Sequence, residues 1–232
     1  MWVSGPGERR RGVRAPPVEY RFGLVLILLL ATFVFLMAAS TSKWARPIGV
    51  ALTGATLLAA LFAAGVSPRL RRLAALVALV AFVASFSLVA FTESGESADA
   101  LLNAGLVALA PIAIARSVIR RRVIDVRTIL AALCIYVLFG MLWAYVYTAI
   151  ANFGSSAFFA QSIQPTSADF LYFSFITQLT VGYGDLTAAG NLGRACAVLE
   201  ALLGQIYMVT IVAVLVSRLA PRGQADRSST ER

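Results

Sequence analysis

The chain has no histidine, two cysteines and a single lysine among 232 residues, and only 13% of it is charged. The missing histidine removes imidazole acid–base catalysis, Ser-His or Cys-His nucleophile activation and nearly every zinc site. Two cysteines, Cys134 and Cys196, both inside apolar stretches, exclude a disulfide scaffold. The shortage of charge says more. Soluble domains are typically about 45–50% apolar and about 25% charged. Here 59% of residues are apolar, and the mean hydropathy is +0.82. Such a chain does not dissolve as a globule, and it has too much apolar surface to stay disordered. The composition points to an integral membrane protein.

A helix needs about 20 mostly apolar residues to cross the hydrocarbon core. Six stretches qualify: Phe22–Ala39, Ile48–Val66, Leu73–Phe91, Ala100–Ile119, Thr128–Ala151 and Arg194–Leu219. A shorter apolar stretch, Ser167–Leu179, suits a re-entrant helix buried in protein. The first span begins after a basic tail, as a signal peptide does. Its 18-residue apolar run exceeds the usual length of about 7–15, which favours a retained span.

The net charge of +9 resolves once the spans are drawn. Arg9, Arg10, Arg11, Arg14 and Arg21 precede the first span. Arg69, Arg71 and Arg72 lie in the second loop. The fourth span ends in Arg116, Arg120, Arg121 and Arg122, with Arg127 next, and the C-terminal tail has Arg218, Arg222, Arg227 and Arg232. With six spans these 17 of the 20 basic residues share one side. Lys43, Arg46 and Arg194 fall opposite, together with Glu93, Glu96 and Asp99. Basic loops mark the cytoplasmic face, so both termini are expected there. The basic excess sets orientation and implies no nucleic-acid partner. Cys134 and Cys196 differ in depth by roughly 15–20 Å on this plan, too far to pair.

Residues 177–185 read Thr-Gln-Leu-Thr-Val-Gly-Tyr-Gly-Asp. Within them, Thr180-Val181-Gly182-Tyr183-Gly184-Asp185 resembles the selectivity filter of potassium channels. Such a filter replaces an ion's water shell with rings of backbone carbonyls. Gly182 and Gly184 suit the unusual dihedrals that bring carbonyls to one axis. The resemblance implies K+ held at Thr180, Val181, Gly182 and Tyr183, with the Thr180 hydroxyl at the inner end and Asp185 at the outer mouth. Val181 and Tyr183 would turn their side chains away from the axis. The preceding short helix has a start signal: Thr166 or Ser167 can cap, and Asp169 favours a helix N-terminus. Its C-terminus near Gln178 would turn a negative dipole end toward a cation. Tyr172 and Phe173 correspond to aromatic residues that pack around the filter in the family. Ile176 stands where some members carry a carboxylate, a departure from their pairing with the residue matching Asp185.

The last span contains Gly204. The stretch Gly193-Arg194 to Gly204 resembles the inner helix of potassium channels, in which the glycine is a gating hinge; close helix packing is the alternative for a glycine in lipid. Met208, Val212 and Val216 recur at every fourth residue. They suit a cavity-lining face that closes by dewetting, or a face buried against another helix. Glu200 is the one carboxylate in this span, about 9 Å below the outer surface. Intramembrane acids face protein or water rather than lipid. Either Glu200 supports the filter through Thr177 or Gln178, or it is a protonated acid satisfied by neighbouring backbone.

A voltage sensor needs several cations within the field, each worth about 2.3 kcal/mol per 100 mV. Leu101–Ala115 has no charge and contains Pro111, and Arg116 and Arg120–Arg122 sit at the rim. Weak or absent voltage dependence is expected. No cytoplasmic ligand-binding region is expected from the short 220–232 tail.

The expected fold is therefore an all-α membrane protein, with six transmembrane helices, one re-entrant pore helix and an extended filter per subunit. The expected parts are a cytoplasmic tail (1–21), a four-helix region of unassigned role (22–127), a pore region (128–219) and a tail (220–232). One filter per chain implies a homotetramer, because the resemblance requires four. K+ is the permeant ion, and no organic cofactor and no catalysis are expected. A non-selective or Na+-permeable channel of the same fold is the alternative, and a subunit that assembles or regulates a partner is a second. Nineteen arginines to one lysine, with abundant alanine, favour a bacterial inner membrane.

Overall fold

The structure, a computed structural model, describes residues 21–39, 45–91, 126–154, 156–161 and 163–219, with residues 105, 107, 112 and 114. The described residues form helices and carry no strand beyond one isolated bridge, between Phe159 and Ala188. In chain order the helices are α1 (Arg21–Ala38), α2 (Ala45–Ala63), α3 (Pro68–Phe91), α4 (Val126–Phe153), α5 (Ser167–Gln178) and α6 (Asn191–Leu219). Three of them are long and apolar enough to cross a membrane: Pro68–Ser87 in α3, Thr128–Phe153 in α4 and Asn191–Val214 in α6. Phe22–Ala38 and Pro47–Ala63 are shorter apolar helices. The expected fourth span lies outside the described residues, except that Gly105, Val107, Ile112 and Ile114 are helical. Its rim arginines, both tails and the acidic loop Glu93–Asp99 also lie outside them.

Local chemistry sets several boundaries. The end of α2 falls three residues before the sequence expectation because Gly65 adopts φ +68. The Gly65 N–H donates to the Phe62 carbonyl, and the Val66 N–H to the Leu61 carbonyl, both at 3.2 Å. This pair of bonds is a Schellman stop, which favours glycine at the left-handed position. Two residues later Pro68 begins α3, where its missing N–H costs nothing. The helix therefore starts five residues earlier than the apolar run does and takes in Arg69, Arg71 and Arg72. Arg71 lies over the Phe62 ring at 4.5 Å, closing the α2–α3 hairpin.

Small residues let the helices approach. A Cβ on Gly54 would stand 3.0 Å from Ala78 Cβ, so α2 and α3 meet backbone to backbone there. The Thr32 and Thr56 hydroxyls meet at 3.2 Å between α1 and α2. Helix α1 also packs on α4 and α5, where the Phe33 and Phe175 rings are 4.6 Å apart. One apolar core joins α1–α4 with Leu171 and Phe175 of α5. A second, aromatic core gathers Tyr147, Phe158, Phe159, Phe170 and Phe173 around the N-terminal part of α5. Most of α6 is exposed in the single chain, including Leu202, Ile206, Val209 and Val216. Both cysteines are free.

Candidate functional site

Helix α5 has twelve residues and opens on Thr166. Asp169 Oδ2 accepts the Thr166 backbone N–H at 2.7 Å and its hydroxyl at 2.8 Å. A carboxylate in the first turn also suits the positive end of the helix dipole.

The other end of α5 runs into residues 180–182 without a break in hydrogen bonding. The Leu179 N–H donates to the Phe175 carbonyl and the Thr180 N–H to the Thr177 carbonyl, both at 2.9 Å. The N–H groups of Val181 and Gly182 converge on one acceptor, the Ile176 carbonyl, at 2.9 and 3.2 Å. These contacts satisfy carbonyls that a helix end otherwise leaves open. They also fix which edge of the segment faces the helix.

The backbone of the segment alternates. Thr180, Gly182 and Gly184 have φ of +57, +55 and +80, while Val181 and Tyr183 do not enter the positive region. Alternation of this kind turns successive N–H groups to one edge and leaves the carbonyls on the other. Among the described residues, no donor reaches the carbonyls of Thr180–Gly184. A Cβ at Gly182 or Gly184 would meet nothing within 4 Å. The sign of φ, and not space, is what calls for glycine there. Thr180 adopts the same conformation with a side chain, at a cost of roughly 1–2 kcal/mol.

The side chains of the segment have few partners among the described residues. Val181 is 46% and Tyr183 73% exposed. Asp185 accepts the Tyr172 hydroxyl at 2.7 Å, tying the C-terminal end of the segment to α5. That bond pushes the Tyr172 hydroxyl up to about 12, so it stays the donor at neutral pH. Gln205 of α6 reaches the Thr180 hydroxyl at 3.5 Å. Beyond Asp185, the Ala160 N–H donates to the Thr187 carbonyl and the Ala189 N–H to the Phe158 carbonyl, both at 2.8 Å. This short ladder braces the chain just after the segment.

Behind α5, Gln178 is buried between two glycines. Its Nε2 donates to the Tyr136 carbonyl at 2.9 Å, and the Tyr136 hydroxyl donates to its carbonyl at 3.3 Å. A Cβ on Gly204 would stand 3.0 Å from Gln178 Cγ and 3.1 Å from its carbonyl oxygen. At Gly140 it would collide with Gln178 Oε1 and lie 2.9 Å from the Phe175 ring. In this structure Gly204 is thus a point of close approach. Further along α6, Met208 is half-buried, and Val212 and Val216 are exposed.

Glu200 is wholly buried. Its partners are not the anticipated Thr177 or Gln178. The Tyr147 hydroxyl donates to Oε2, and Ser174 Oγ lies 2.5 Å from Oε1. A helical turn explains the difference, since Ser174 sits one turn above Gln178 and on its face of α5. Sequence reasoning also missed Phe158 and Phe159. The available signal was an aromatic pair in the stretch 154–166, which has no other aromatic residue.

Oxygen is the donor chemistry on offer. Among the described residues, no cluster of three His, Cys, Asp or Glu could hold a metal ion. Residues 131–220 match a protein-family model described as "Ion channel". The match supports an ion channel. With the three long apolar helices it also supports a membrane protein. The chain is 54% identical over 44 residues to Protein LctB of Geobacillus stearothermophilus. That stretch covers 19% of this chain and 32% of LctB, so the chain spans about a third of the length of that relative. No solved structure matches.

Proposed function

We propose that this ion channel is potassium-selective and that four copies of the chain assemble around one pore. Potassium passes down its gradient through stacked carbonyl rings of Thr180, Val181, Gly182 and Tyr183, with the Thr180 hydroxyl below them and Asp185 at the mouth. The observation that carries this reading is the alternating φ of Thr180, Gly182 and Gly184, with the N–H edge tied to α5. A segment held by its N–H groups presents unpaired carbonyls, and such carbonyls can replace the hydration shell of a cation. The C-terminal end of α5 adds a partial negative charge nearby.

The resemblance to a four-fold filter calls for four copies, and the exposed surfaces of the chain support assembly. One segment supplies one edge of a ring, and Val181, Tyr183, Leu202, Ile206 and Val209 are exposed among the described residues. Neighbouring copies on a symmetry axis would cover them. Met208, Val212 and Val216 then line the inner cavity below the filter. In the full reading, six spans and the re-entrant α5 make up each subunit. Both termini lie on the cytoplasmic side of a cell membrane, here a bacterial inner membrane, in contact with lipid.

The test is the reversal potential of the purified chain in planar bilayers under opposed potassium and sodium gradients. A reversal that follows potassium, and is lost in Gly184→Ala, is the expected result. A reversal that follows sodium would make the channel non-selective. Absence of any current would assign the chain a supporting role in another assembly.

A further inference from the structure

Glu200 belongs to a three-helix junction whose protons can be counted. Tyr147 of α4 donates to Glu200 Oε2. Ser174 Oγ of α5 lies 2.5 Å from Glu200 Oε1 and 2.7 Å from the Gly140 carbonyl oxygen of α4. Both distances require a shared proton. A serine hydroxyl has one proton to give, a carbonyl only accepts, and an ionised carboxylate only accepts. With Glu200 ionised, Ser174 serves one neighbour and faces the other lone pair to lone pair. With Glu200 protonated, the conflict disappears. Oε1–H donates to Ser174 Oγ, Ser174 donates to the Gly140 carbonyl, and Tyr147 donates to Oε2. Three protons then fill three contacts.

The surroundings agree with this assignment. The carboxyl is fully buried, and burial of an unpaired charge is expensive. Among the described residues, its titratable neighbours are Tyr147 and Tyr136 of α4, with Cys196 of α6 beside Tyr147, and none of them is a cation. The acid of α5, Asp169, is engaged at Thr166. Arg194, on the same helix as Glu200, donates to the Ala188 carbonyl.

We propose that Glu200 is held as a neutral carboxylic acid whose proton pins α5 to both α4 and α6, making it a positioning residue for the 180–184 segment. The path is short. Ser174 lies two residues before Ile176, the acceptor of the Val181 and Gly182 N–H groups. Loss of the pin lets α5 shift, and the carbonyl edge shifts with it. The electrical part of this inference rests on the channel reading; the protonation state does not.

Infrared difference spectra of the full-length protein in phosphatidylcholine–phosphatidylglycerol vesicles, wild type against Glu200→Gln at neutral pH, read the proton directly. The expected result is a protonated-carboxyl carbonyl band in the wild type that shifts in deuterated water and is absent from the variant. Potassium flux in the same vesicles reads the pin. Glutamine can donate to Ser174 and accept from Tyr147, so its flux should stay within about threefold of wild type. Glu200→Ala leaves both partners unpaired and should lower flux by about tenfold or more. A carboxylate band in place of the acid band overturns the inference. So does a glutamine variant that falls as far as alanine. If the wild type passes no potassium, the channel reading fails, and the infrared band still decides the state of Glu200.

Discussion

Substituting Gly204 by alanine sets two known terms against each other. In a helix interior, alanine is favoured over glycine by roughly 0.5–1 kcal/mol. At this position the new methyl group would stand 3.0 Å from Gln178 Cγ and 3.1 Å from the Gln178 carbonyl oxygen. Neither neighbour yields easily. Gln178 is buried, its amide donates to the Tyr136 carbonyl, and its own carbonyl accepts the Tyr136 hydroxyl. Overpacking of this kind typically costs about 1–3 kcal/mol. The expected balance is a net loss of roughly 1 kcal/mol, read from the unfolding midpoint of the reconstituted protein in a denaturing-detergent titration. The strain also enters the chain two residues before Thr180, so on the proposed channel function potassium selectivity should fall in parallel. A hinge without close packing predicts the opposite sign, because alanine would then stiffen and stabilise α6. A gain of about 1 kcal/mol, the propensity term alone, would refute the packing argument.

Gly140→Ala should be more damaging than Gly204→Ala in the same titration, since its methyl group would strike Gln178 Oε1 and the Phe175 ring together. An equal or smaller loss would mean that Gln178 moves aside freely. Tyr172→Phe removes the donor to Asp185. Exposed bonds of this sort contribute about 0.5–1.5 kcal/mol, so stability should change little, while the current becomes less steady as the outer mouth loosens. Single-channel records that match the wild type would count against a role for that bond. For Phe33 and Phe175, a double-mutant cycle to leucine should give a coupling of about 0.5–1.5 kcal/mol, as for other aromatic pairs. A coupling near zero would mean that α1 does not brace α5.

Legibility varied with how local the cause was. The start of α5 was readable, because Thr166 and Asp169 lie three residues apart and bond to each other. The helices α1, α4 and α6 could be drawn from apolar runs alone. Helix α2 ended early because two bonds around Gly65 outweighed an apolar run that continues to Val66. The start of α3 was missed for a related reason, as Pro68 opens a helix through arginines that hydropathy assigns to a loop. Positive φ was anticipated at Gly182 and Gly184 but not at Thr180. There the bond from its N–H to the Thr177 carbonyl holds a conformation that residue type alone disfavours.

By itself, the scarcity of charge beside the apolar excess determined the class of molecule, since a chain this apolar has lipid as its natural solvent. The order of residues added a filter-like motif between a short helix and a long one. Which groups meet behind that motif was decided only by tertiary structure. Glu200 had several polar candidates within reach of its depth, and the approach of three helices selected Tyr147 and Ser174. That approach depends on Gly140 and Gly204, where no Cβ holds the backbones apart. Hydropathy is a property of each residue, whereas the match of one lone pair to one proton is a property of distances between helices.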